Sequence, residues 1–91
     1  MIRSFRSRAL KAFWSGGDAA KIQPALRDRV VRRLNRLNLA RSPQEMNTPG
    51  FNFHALRGKP QRYTVHVNGP WCIAFGWDGE DAIDVDLENY H

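Results

Sequence analysis

The hydrophobic period of this chain changes once, at Phe51, and that change restricts the folds open to it. Up to Phe51 apolar residues recur at helical spacing. Beyond it they alternate with polar ones, the period of strands that bury one face. A chain of 91 residues buries only about 60 to 65% of its unfolded surface, so it builds one layered unit and any active site lies on the surface. The expectation is an α+β fold in a single domain over residues 1–91. N-terminal helices pack on one face of a twisted antiparallel sheet and the other face stays open to solvent.

Residues Ile2 to Phe5 alternate and read as a short edge strand; Ala9, Leu10, Ala12, Phe13 and Trp14 read as a helix ended by Gly16-Gly17. A second helix starts near Pro24, since proline at a first-turn position forfeits no hydrogen bond, and runs to about Leu39. Leu26, Val30, Leu34 and Leu37 form its apolar stripe, and Arg27, Arg29, Arg32, Arg33 and Arg36 fill much of the rest. Ser42-Pro43-Gln44-Glu45 has the form of a capped single turn. Four strands are then expected, with apolar phases Phe51 and Phe53; Tyr63, Val65 and Val67; Trp71, Ile73, Phe75 and Trp77; Ile83, Val85 and Leu87. Asn68-Gly69 and Asp78-Gly79 are the expected hairpin turns.

Charge is distributed unevenly: residues 1–41 carry +9, residues 42–75 carry +2 and residues 76–91 carry −6, for a net +5. A basic half of this kind points to a polyanionic partner, with the acidic end limiting that attraction. The single cysteine forms no internal disulfide and supplies no redox pair. With no run of eighteen apolar residues and no signal-peptide pattern, the reading is a reducing, cytoplasmic protein that does not meet a membrane.

The phase left over by the core reads Asn52 and His54; Thr64 and His66; Cys72 and Ala74; Asp84 and Asp86, with small residues in the middle. Beside it runs the loop Arg57-Gly-Lys59-Pro-Gln-Arg62. Guanidinium forks suit phosphate oxygens and imidazole titrates near neutrality, so the pairing points to phosphodiester chemistry. RNA brings its own nucleophile, the 2′-hydroxyl, and its cleavage requires a base, an acid and a cationic clamp, with no metal or other cofactor. Taken singly, each histidine reads as structural and the arginines as a solvated helix face. A non-catalytic RNA- or DNA-binding module is the alternative, and a metal-dependent nuclease using Asp84, Asp86 and His66 is a third.

The order of short motifs carries more weight. Met1-Ile-Arg-Ser-Phe5, His54-Ala-Leu-Arg57-Gly58, Val65-His-Val-Asn68 leading to Trp71, Asp84-Val-Asp86 and Tyr90-His91 together resemble the HigB toxins of the RelE-like superfamily. That resemblance implies a microbial RNase-like fold and a toxin that cuts mRNA in the ribosomal A site. It also implies neutralisation by a HigA-type helix-turn-helix antitoxin, with operator DNA reached only through the toxin–antitoxin complex. The family's His-x-Leu-Lys-Gly segment falls on His54 and Arg57, and its terminal Asp-Tyr-His falls on Asn89, Tyr90 and His91. An arginine that commonly follows the strand tryptophan is Cys72 here. The implied catalytic set is His54, Arg57, Asn89, Tyr90 and His91. The expectation is that Arg62 or Lys59 compensates for Cys72, that the His91 α-carboxylate stands in for the missing aspartate, and that the arginines of the second helix dock ribosomal RNA.

Overall fold

The computed structural model describes residues 1–90, and His91 lies outside the described residues. Among them, α1 (Arg8–Gly16), α2 (Pro24–Leu39) and a 3₁₀ turn at Pro43–Met46 precede β1 (His54–Ala55), β2 (Arg62–Asn68), β3 (Trp71–Asp78) and β4 (Asp81–Asn89). The strands form an antiparallel meander in the order β1-β2-β3-β4. The architecture is the α+β arrangement expected from the sequence. No helix among the described residues is long and apolar enough to cross a membrane.

Local chemistry sets the helix ends. The Ser7 hydroxyl accepts from the Leu10 N–H at 3.1 Å and so satisfies one of the unpaired amides of the first turn of α1. At the other end Gly17 takes φ 69°. That lets its own N–H reach the Phe13 carbonyl and the Asp18 N–H reach Ala12, at 3.1 and 3.2 Å. The stripe Leu26, Val30, Leu34 and Leu37 of α2 is at most 3% exposed and packs with Val65, Val67, Ile73 and Phe75 from the sheet. Phe53, Tyr63, Phe75 and Trp77 continue this layer as an aromatic ladder with centroid spacings of 5.7, 5.6 and 6.3 Å. These rings belong to the core, as their phase predicts, and do not form a base-stacking platform on the open side.

Several local expectations are corrected. The first strand is His54–Ala55 rather than Phe51–Phe53, because Asn52 adopts φ 47° and breaks the extended run. Phe51 still accepts from the His66 N–H at 2.6 Å. The hairpin loops are Gly69-Pro70 and Gly79-Glu80, one residue later than expected, since only the glycine of each pair takes a positive φ, 55° and 64°. The Ser42 hydroxyl does not cap its turn; the Glu45 carboxylate receives the Arg41 N–H at 3.2 Å instead. The expected N-terminal strand is two parallel bridges to β4, Ile2 to Ala82 and Phe5 to Val85. Finally, Ile83 does not share the core face with Val85 and Leu87. Phe75 alone faces Asp84 and Val85 across a bulge, with Asp84 at φ 50°, and the extra residue moves Ile83 to the open face and Ala82 to the core.

Arg33 is also not a solvated side chain. It is 8% exposed, and its guanidinium donates to the carbonyls of His66 at 2.8 Å, Arg29 at 3.4 Å and Gly50 at 3.4 Å. It also lies 4.5 Å from the centre of the Phe51 ring. Burial, followed by the nearby Arg29 and Arg32, lowers its pKa from the usual arginine value, and the three carbonyls offset the cost of burying the charge. Arg33→Ala is therefore expected to lower unfolding free energy by about 2 to 4 kcal/mol, because the His66 carbonyl of β2 and the Gly50 carbonyl of the preceding turn lose a donor and the site loses its packing. Lysine should recover little of this, since it lacks the planar fork. Urea unfolding of the three proteins checks it; a loss below about 0.5 kcal/mol would contradict the assigned role.

Candidate active site

Strand register and the bulge define which side chains share the open face. Thr64 pairs with both His54 and Ala74, and Ala74 pairs with Asp86, giving one row across all four strands. On one side of it lies Arg62 opposite Gly76, with Ile83 beyond; on the other lies His66 opposite Cys72, with Glu88 beyond. Thr64 and Ala74 are 5% and 0% exposed. They lie recessed between longer neighbours, which cover them from solvent, so the small central residues do not leave the open groove expected of them.

Arg62 crosses this face. Its Nη2 donates to the Asp84 carbonyl at 2.9 Å, and a β-carbon built on Gly76 would lie 3.7 Å from Nη1 and 3.3 Å from Ile83 Cγ1. The absence of a side chain at Gly76 is what gives the guanidinium its path. Asp86, half-buried, has its carboxyl pKa raised chiefly by burial, with Glu88 adding to the rise and the Leu87 N–H, Arg6 and Arg62 opposing it. Tyr90 is 42% exposed; its N–H reaches the Pro70 carbonyl at 2.7 Å and its hydroxyl donates to the Glu88 carboxylate. Desolvation first, then that hydrogen bond and the Glu88 charge, push its pKa up to about 12, while Arg62 pulls the other way. The phenol therefore stays protonated at neutral pH and serves as a hydrogen-bond donor rather than a base. Burial and Glu88 likewise raise the Cys72 thiol, which leaves it an inert small residue.

The residues singled out by the sequence are spread over this face, along its edge and beyond it. His54 is exposed on β1, and Arg57 and Lys59 are exposed on the loop that Leu56 and Arg62 close through a 2.8 Å main-chain bond. Tyr90 follows β4, so β2 and β3 lie between it and His54, and it stands four residues beyond Asp86 of the His54 row, about 14 Å across the strands and about 13 Å along them at the usual strand spacings. Asn89 pairs with Trp71 and belongs to the opposite phase, so it is not on the Tyr90 side. His91 lies outside the described residues. His66 is taken up by the hairpin, its Nε2 lying 3.0 Å from the Gly69 carbonyl.

On α2, Arg27 binds the Ile22 carbonyl at 2.8 Å, Arg29 the Val67 carbonyl at 3.4 Å and Arg36 the Glu45 carbonyl at 3.3 Å, while Arg32 pairs with Asp28 at 3.0 Å. Arg29, Arg32 and Arg36 remain exposed. Asp84, Asp86 and His66 do not converge, and among the described residues no three His, Cys, Asp or Glu side chains gather as metal ligands.

A face of this kind, carrying arginine, a protonated phenol and an imidazole at its edge, suits a phosphodiester. Over residues 3–91 the chain matches the family described as the RelE-like toxin of the type II toxin-antitoxin system HigB. The chain belongs to the HigB-like toxin family. Endoribonuclease HigB of Proteus vulgaris is 29% identical to it over 92 residues, covering 100% of both chains.

In this HigB-like toxin, sequence reasoning missed Glu88 as the partner of Tyr90. The i, i+2 spacing on a strand that places both on one face was the available signal. In a Tyr63→Phe background, the Tyr90 ring should keep the absorbance of the neutral phenol to about pH 11, and Glu88→Ala should bring its ionisation back toward about 10. Ultraviolet titration reads this directly, and identical curves for the two proteins would contradict the Glu88 contact.

Proposed function

We propose that this toxin is a metal-independent endoribonuclease that cuts mRNA in the ribosomal A site and is neutralised by a HigA-type helix-turn-helix antitoxin. The observation that carries the reading is the open face itself, where Arg62 and a protonated Tyr90 flank a floor of small residues with His54 at the edge. The endoribonuclease assignment of the Proteus vulgaris relative supports the same chemistry.

In the proposed reaction, His54 or His91 takes the proton of the 2′-hydroxyl as its oxygen bonds to phosphorus. The other group protonates the departing 5′-oxygen. The P–O5′ bond breaks, leaving a 2′,3′-cyclic phosphate and a 5′-hydroxyl. Arg57, on the loop beside His54, stabilises the dianionic phosphorane, Tyr90 donates to a phosphate on the β4 side of the face, and Lys59 and Arg62 hold neighbouring phosphates. Arg62 takes the part that Cys72 does not supply, its guanidinium already fixed by the Asp84 carbonyl. Arg27, Arg29, Arg32 and Arg36 position the toxin on ribosomal RNA. This contact weakens steeply with salt because phosphate neutralisation releases counterions. The reaction takes place in the cytoplasm, and operator DNA is met only through the antitoxin complex.

Primer extension on a message in a purified translation system tests the reading. Cuts at defined codons are expected only with ribosomes, and His54→Ala should slow them by about 10²- to 10⁴-fold, the worth of positioned proton transfer. Intact message under every condition would favour a binding module without catalysis, the reading to which Cys72 and Asn89, standing where the family has an arginine and an aspartate, would then point.

A further inference from the structure

We infer that the open face carries a second phosphate subsite at Arg6, at the opposite edge of that face from His54, and that the RNA backbone crosses the strands between them. This rests on the endoribonuclease reading and adds a contact that the site residues above do not include. The placement follows from the parallel bridge of Phe5 with Val85, in which the Arg6 N–H donates to the Val85 carbonyl at 2.8 Å. The next residue on each chain, Arg6 and Asp86, then falls on the other side of the sheet from the core. The row His54, Thr64, Ala74, Asp86 is thereby extended to Arg6. Its four inter-strand steps span about 19 Å, the reach of an extended single strand of a few nucleotides.

Three further observations favour a phosphodiester backbone along that row. The floor is sunken, with Ala74 fully buried and Thr64 95% buried. Of the two central residues Thr64 carries a hydroxyl, a group able to donate to a phosphate oxygen. The cations are spaced along the path and are not clustered. Arg62 is fixed over Gly76 by the Asp84 carbonyl, and Arg6 is exposed and outside every ion pair of the described residues. Asp86 lies between them, within electrostatic reach of both and paired to neither.

The test uses the His54→Ala protein, which does not consume the probe, and RNA di-, tetra- and hexanucleotides in fluorescence anisotropy at several salt concentrations. Affinity should rise with length. Arg6→Gln should leave dinucleotide binding in place, weaken the hexanucleotide by about tenfold and lower the slope of log affinity against log salt by about 0.7, the value for one phosphate contact on a single strand. Arg6→Lys should restore that slope. A length gain and slope unchanged in Arg6→Gln, or no length gain in the parent, would overturn the subsite. Failure of the endoribonuclease reading is recognised separately, as intact message on ribosomes with His54 present.

Discussion

Leu26, Val30, Leu34 and Leu37 leave α2 on one stripe and meet Val65, Val67, Ile73 and Phe75, and this contact fixes the phase of the whole sheet. A strand that turns every second side chain toward a helix must turn the others away, so burial on one face decides what is presented on the other. The helical layer packs on the other face of the sheet. It sets the register that places His54, Thr64, Ala74 and Asp86 in one row, and Arg33 reinforces that setting by tying α2 to the main chain of β2 and of the preceding turn.

Wherever the period was regular, the fold could be read from the residues. The α2 stripe, the two hairpins and the small-residue floor needed only spacing and turn chemistry. The β4 phase could not be read in this way, because the bulge at Asp84 inserts one residue and exchanges the faces of Ala82 and Ile83. Nothing in Asp81-Ala-Ile-Asp-Val marks the insertion, since aspartate tolerates a positive φ without requiring it. The same holds for Asn52, whose φ of 47° shortens β1 to His54–Ala55.

The site was legible in its residue types more than in its geometry. His54, Arg57 and Tyr90 are readable from motif order and Arg62 from the cationic loop, and Arg62 and Tyr90 do lie on one face. Asn89 lies on the other, because residues one apart on a strand point oppositely. The count of arginines on α2 overstated the free charge there, since side-chain contacts to carbonyls are invisible to a tally of cations: Arg33 is buried and Arg27, Arg29 and Arg36 each donate to the main chain. Arg6 escaped notice for the converse reason. Its neighbour on the open face is Asp86, eighty residues away in sequence, and only the parallel bridge at Phe5 brings them together.

The central claim is that the face opposite the helices is where RNA lies. Amide chemical shifts of the protein recorded during titration with a 2′-O-methyl RNA hexanucleotide, which lacks the attacking hydroxyl, test it most directly. The account predicts that the largest changes trace His54, Thr64, Ala74, Asp86 and Arg6, with smaller ones on the Leu56–Arg62 loop. Changes confined to the outer surface of α2, with the β2 and β3 amides unmoved, would contradict it.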